Sequence, residues 1–239
     1  MSGGPYPTGG MSPKGTTTPV YINFAEVDQG DKDVLCMAIC ECKAVPDVGK
    51  DGQSLRQGCV SKMLTMRDRR QDSQSEYKPE VNFDMTKNPP VPIMDSSIAT
   101  KAHDWLKGWI DKYWHLDPEH PPFKPGKDMI RRPDVVIVKD PLKPPTQDNI
   151  KQVVEIKFDG DSWGVRQAED YETISGKGKL AELTPGKCAC DDPDRKKKTE
   201  NIKNTELKDE VRGIMDAIAS KGRGGRRTRL PKKLPNLKD

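Results

Sequence analysis

Two apolar runs, VVIV at 135–138 and VVEIKF at 153–158, have the composition of buried β-strands but are interrupted by charge. Asp134 follows Pro133 at the mouth of the first run. Glu155 and Lys157 stand two apart in the second, so they project from one face of a sheet, while Val154, Ile156 and Phe158 take the other. Burying an acid and a lysine is costly unless they pair or bind something. A Glu–Lys pair on the solvated face of an ordinary strand explains the second run alone. The combination with Pro133–Asp134 constrains the chain further. The proline-rich loop between the runs is of hairpin length, and antiparallel pairing would bring Asp134 beside Glu155.

The remaining pattern supports a mixed α/β reading. Ile98, Ala102, Trp105, Leu106, Trp109, Ile110 and Tyr113 recur at three- and four-residue spacing. They predict a helix capped by Ser96 or Ser97, whose aromatic face is read as core packing, not as a base-stacking platform. YKPEVNFDM at 77–85 predicts a short strand containing Glu80, and PVYINF a possible earlier one. A helix over 165–177, capped by Asp161 or Ser162, and a strand over 179–184 follow the two central runs. A last amphipathic helix fits 205–219, and 46–75 reads as polar loop. The expected order is a flexible leader (1–19), an irregular Cys-containing region (20–95), a compact core (96–190), a C-terminal helix (191–220) and a basic tail (221–239).

Two facing carboxylates repel, and a divalent cation relieves the repulsion. Hard oxygen donors without nearby histidine suit Mg²⁺ or Mn²⁺. A lysine on the same face is placed to orient a water for attack on a phosphodiester. His103, His115 and His120 lack the spacing of a histidine–metal site and read as surface or core-edge residues. Asp140 and Asp159 read as turn formers.

RRPDVVIVKDP followed by VVEIKF resembles the motif of the PD-(D/E)xK nuclease superfamily, with Asp134, Glu155 and Lys157 at its three positions. SWGVRQAEDYETI is similar to the VRR-NUC branch, although GVRQ lacks its second arginine. The resemblance covers 77–190 best. It implies a restriction-endonuclease-like core with a small mixed sheet flanked by helices. It also implies Mg²⁺ or Mn²⁺ held by Asp134, Glu155 and the Ile156 carbonyl, with an added acid. Glu80 is the first candidate for that acid, ahead of Asp104 and Glu119. Lys157 and Gln167 become catalytic, and Arg166, Tyr171, Arg131 and Arg132 nucleic-acid contacts. The layout is similar to nuclease toxins of type VI secretion, which implies DNA as substrate, a secretion-system component and a cognate immunity protein as partners. Two alternatives share these features: a structure-specific DNA repair nuclease and a non-catalytic nucleic-acid-binding protein.

Composition sets the remaining bounds. Hydrophobic and charged residues each make up 33% of 239, beside 21 Pro and 20 Gly, so a core with irregular arms is expected. Residues 221–239 hold eight Lys/Arg and one Asp (+7), leaving 33 basic and 36 acidic residues (−3) elsewhere. KGRGGRRTRLPKK, with Arg226 and Arg227, is either an arm that lies along phosphates or a solvated tail without a partner. No apolar run approaches the ~20 residues of a membrane span, and the N-terminus lacks a basic start and an apolar stretch. The expectation is a protein kept in the producer's cytoplasm, or delivered to a target cytoplasm without a cleaved signal. Six cysteines remain: Cys36, Cys40, Cys42, Cys59, Cys188 and Cys190. One reading joins Cys40, Cys42, Cys188 and Cys190 around Zn²⁺. The other, favoured by the absence of Cys-x2-Cys spacing, leaves them reduced or paired.

Overall fold

The computed structural model describes residues 23–193 and one strand pair before them, β1 (Pro7–Thr8) with β2 (Val20–Tyr21). Helix α1 (Gln29–Ala44), the pair β3 (Asp47–Val48) and β4 (Ser54–Leu55), and helix α2 (Arg56–Arg70) come next. Then come β5 (Tyr77–Pro79), β6 (Phe83–Asp84), β7 (Val91–Pro92) and α3 (Leu106–Tyr113). The chain continues through β8 (Ile130–Arg131), β9 (Val135–Val138), β10 (Ile150–Ile156), α4 (Gln167–Ser175) and β11 (Leu180–Leu183). It is a mixed α/β protein with small sheets and four helices among the described residues. The expected helix over 205–219 and the tail arginines Arg226 and Arg227 lie outside them.

The charged apolar runs form the middle of a four-stranded sheet of order β11-β10-β9-β5. β9 and β10 pair antiparallel as a hairpin, and β5 adds antiparallel to β9. β11 joins β10 in parallel, which requires a crossover; α4 provides it. Branched side chains suit these strands because both faces are covered. Val136, Val138, Val153 and Leu180 pack with Ala168, Tyr171 and Ile174 of α4, and with Val81 and Phe83. Val135, Ile137, Val154 and Ala181, on the other face, are equally buried. Each such aliphatic side chain contributes ~1.5–3 kcal/mol. Gly176, at φ 86°, ends α4 in a conformation that suits glycine. Asn149 closes the hairpin loop by donating to the carbonyls of Asp140, Lys143 and Pro144.

Several expectations need correction. The region 20–95 is not irregular: it contains α1 and α2, and α2 occupies half of the supposed loop at 46–75. Its buried stripe, Cys59, Val60, Met63 and Leu64, is narrow and surrounded by arginines, so average polarity hid it. The strand at 77–85 breaks at Glu80, which takes a φ of 48° between β5 and β6. The helix starting near Ile98 begins only at Leu106, because Asp95 instead accepts the Ser97 and Ile98 amides in a turn. Its aromatic face is not core: α3 buries no residue fully, and Trp105 is 65% exposed. Asp161 and Ser162 do not cap α4, whose N-cap position is Arg166 at φ 58°. Asp161 accepts the Phe158 amide.

The zinc reading is overturned. Cys36 bonds to Cys188, Cys40 to Cys190 and Cys42 to Cys59. Cys36 and Cys40 lie one turn apart on α1, so one helix face meets both members of the Cys188/Cys190 pair. Disulfide sulfurs carry no thiolate for a metal. Among the described residues no group of three or more His, Cys, Asp or Glu is placed to hold a metal ion. No described helix is long and apolar enough to cross a membrane.

Candidate active site

Pro133 precludes the ladder bond of a regular strand, so Asp134 stands where β9 begins. The β9–β10 register pairs Val135 with Val154, and its next position sets Asp134 opposite Glu155. The Ile156 amide donates to Asp134 Oδ2 at 2.8 Å. Glu155 is 2% exposed and Lys157 8%. Lys157 Nζ and Gln167 Nε2 both donate to Glu155 Oε1 at 2.7 Å. The second carboxylate oxygen, Oε2, is buried and receives no N–H donor, and the Asp134 carboxyl, when protonated, hydrogen-bonds with Glu155. Burial first, and the neighbouring Glu155 charge second, push the Asp134 carboxyl up to about 7; the Ile156 amide opposes them.

This donor set fits a hard divalent cation. Two acids stand side by side and one of them, Asp134, is reluctant to ionise, so positive charge at the pair displaces the proton and relieves the repulsion. Mg²⁺ is commonly held by one or two carboxylates, with waters and substrate phosphates completing its shell. The Ile156 carbonyl accepts from Gln57 Nε2 at 3.0 Å and keeps one lone pair for a further partner. Gln57 Nε2 also reaches Asp161 Oδ2 at 3.3 Å, tying α2 to the turn after β10.

The other expected residues divide sharply. Gln167 joins the acid pair, but its amide is fully engaged: Oε1 accepts the Gly164 amide, and Nε2 meets both Glu155 and Tyr171 Oη. Tyr171 is buried, donates to the Arg132 carbonyl, and has its phenol held well above its ordinary range by burial. Neither side chain is free to grip a phosphate. Arg131 is clamped by Asp170 at 2.6 Å and Asp128 at 2.9 Å. Arg166 is 59% exposed at the start of α4, with only loose approaches to Glu169 and Asp170 at 3.7 and 3.8 Å. Glu80 donates its amide to the Asp134 carbonyl, while its carboxylate lies 3.7 Å from the exposed Arg132. Asp104 and Glu119 sit in surface ion pairs with Lys101 and Lys87.

A cleft of about 240 Å³ opens beside Glu80, lined by Arg69, Lys78, Lys101, His103 and Arg132 among others. Burial lowers the Lys78 ammonium from its ordinary range, and Asp68 counters it at 2.7 Å. His120 is a core-edge residue, as expected: its ring stacks on Trp114 and meets Asp84 at 2.7 Å.

Three residues around the pair escape the motif. Glu182 stands level with Glu155 on the parallel strand β11. Its signal was legible, since an acid interrupts the apolar KLAEL as Glu155 interrupts VVEIKF. Trp163 lies over Lys157, and Gln57 arrives from α2; neither has a spacing that marks it. Comparison of the chain with protein-family models, with curated proteins and with solved structures found no match.

Proposed function

We propose that the protein is a metal-dependent nuclease that hydrolyses DNA phosphodiester bonds with little sequence specificity, and that it acts as an antibacterial effector of type VI secretion countered by an immunity protein. The observation that carries the catalytic part is the pairing of buried Glu155 with a facing carboxyl, Asp134, that burial and the Glu155 charge push up to about 7. The toxin part rests on the sequence resemblance.

In this reading Asp134 and Glu155 hold the Mg²⁺ or Mn²⁺, with the Ile156 carbonyl as a third oxygen. When bound, the ion supplies Lewis acidity at a phosphoryl oxygen and lowers the pKa of water. The chain's own groups do the rest. Lys157 spends one N–H on Glu155, and its other N–H groups orient the attacking water and offset charge on the phosphate. Gln167 fixes the Glu155 rotamer from α4 and is a positioning residue. Arg166 and Arg132, exposed on either side, take flanking phosphates.

The test is incubation of purified protein with supercoiled plasmid in Mg²⁺, Mn²⁺ or EDTA, beside Asp134→Ala and Lys157→Ala. Metal-dependent loss of supercoils, abolished in both variants, is expected. Intact plasmid in every lane, followed by intact RNA, would remove the catalytic reading in favour of a nucleic-acid binder.

A further inference from the structure

We propose that Trp163 is a positioning residue that reserves Lys157 for Glu155, and that Glu182 and Lys187 hold Trp163 in that post. The inference rests on the reading of Lys157 as the group that orients water, and one arm of its test is independent of cleavage.

Lys157 lies two positions beyond Glu155 and shares its face of the sheet. The parallel register of β10 and β11 sets Glu155 beside Glu182, and Asp134 flanks Glu155 on the other side. One row of the sheet therefore carries three carboxylates. An ammonium on a four-carbon stem is flexible, and any acid on the same face competes for it. Here it chooses Glu155 at 2.7 Å.

Both Glu182 oxygens are occupied. Trp163 Nε1 donates to Oε2 at 2.8 Å, and Lys187 Nζ meets Oε1 at 2.9 Å. Lys187 also donates to the Glu182 carbonyl at 3.2 Å. Glu182 is thus satisfied without Lys157. The same Trp163 turns its ring toward Lys157, with Nζ 5.0 Å from the centroid, a cation–π distance. Its other contacts fix the ring plane: Phe24 stacks at 5.2 Å and 20°, and Tyr171 meets it edge-on at 6.4 Å. One indole therefore does two things. Its N–H occupies the competing acid, and its face limits the ammonium to the side where Glu155 waits.

The anchor of this arrangement is covalent. Lys187 immediately precedes Cys188, which is bonded to Cys36 of α1, and Cys190 is bonded to Cys40. The segment that holds Glu182 is thereby fixed against a helix far away in sequence.

Three variants test the idea: Trp163→Leu, Trp163→Phe, and Trp163→Phe combined with Glu182→Gln. Trp163→Leu lowers kcat roughly tenfold to a hundredfold with KM nearly unchanged, since a mispositioned group costs the chemical step. Trp163→Phe keeps the ring but frees a Glu182 oxygen, and falls between. Adding Glu182→Gln removes the competing charge and restores much of the loss. The independent arm is NMR of the metal-free protein. The Lys157 ε-methylene protons lie upfield under the Trp163 ring current, and that shift disappears in Trp163→Leu while thermal melting shows the variant folded. An unshifted Lys157 in the parent, or equal kcat in parent and Trp163→Leu, overturns the proposal. Absence of any cleavage by the parent defeats the nuclease reading instead, and leaves the NMR arm to decide whether Trp163 positions Lys157.

Discussion

Asp134 and Glu155 face each other across the β9–β10 pairing, and Asp134 keeps its proton to about 7 in the protein without metal. Its ordinary value is 3.8, so the folded state binds this proton more tightly than the unfolded chain. The resulting stability is full below 3.8 and is lost as pH rises toward 7. Asp134→Asn keeps an acceptor for the Ile156 amide and removes the cost. In EDTA at pH 8 the variant should be more stable than the parent, on the order of 2–4 kcal/mol, with the gap closing toward pH 4. Urea denaturation at several pH values measures it. Equal stability at pH 8 would mean that neither burial nor the Glu155 charge raises the Asp134 carboxyl.

Breaking the Glu155–Lys157 pair from one side leaves a buried charge. Glu155→Gln strands the Lys157 ammonium and should cost about 3–5 kcal/mol. The double variant Glu155→Gln with Lys157→Met removes both charges and should cost less than Glu155→Gln alone. A double-mutant cycle by chemical denaturation reads the coupling. Additive losses would show that the pair is not coupled.

Arg131 and Arg166 separate structure from binding. Arg131→Ala removes the clamp on Asp170 and should lower the melting temperature. Arg166→Ala should leave melting unchanged and weaken DNA binding. Its plot of log K against log salt should be shallower by about one. Binding isotherms with catalytically dead Lys157→Ala protein, at several salt concentrations, give the slope.

The three disulfides predict sensitivity to thiols. Cys36–Cys188 and Cys40–Cys190 span 152 and 150 residues, whereas Cys42–Cys59 spans 17. Losing one long-range bond should cost about 2–5 kcal/mol. Melting with and without dithiothreitol, beside Cys36→Ser/Cys188→Ser and Cys42→Ser/Cys59→Ser, ranks them. Non-reducing peptide mapping should recover these three pairs.

The sequence disclosed the centre of the site better than its surroundings. Strand β10 and the hairpin loop were legible because a run of branched residues and a cluster of prolines report strand and turn directly. The facing of Asp134 and Glu155 followed from antiparallel pairing alone. Helix α2 was not legible, since its stripe of four buried apolar residues is diluted by arginines. Gln57 reaches the site from 99 positions away through tertiary packing, which no local pattern encodes. The cysteine partners were hidden for the same reason: spacing along the chain says little about which sulfurs two helices and a distant loop bring together. Trp105 and its helix misled in the opposite direction, because an amphipathic pattern signals an apolar face but not how deeply it is covered.

The two long-range disulfides also change the topology of the molecule. Cys36 and Cys188 close a covalent ring through the whole four-stranded sheet and α4, and Cys40–Cys190 closes a second ring almost superposed on it. A chain closed in this way cannot be threaded through a narrow pore end first, because two lengths of backbone would have to enter abreast. Passage through such a pore requires the rings to be cut by thiols beforehand and closed again afterwards. A wide conduit requires neither, and delivers α1, the sheet and the Lys187 segment already tied together.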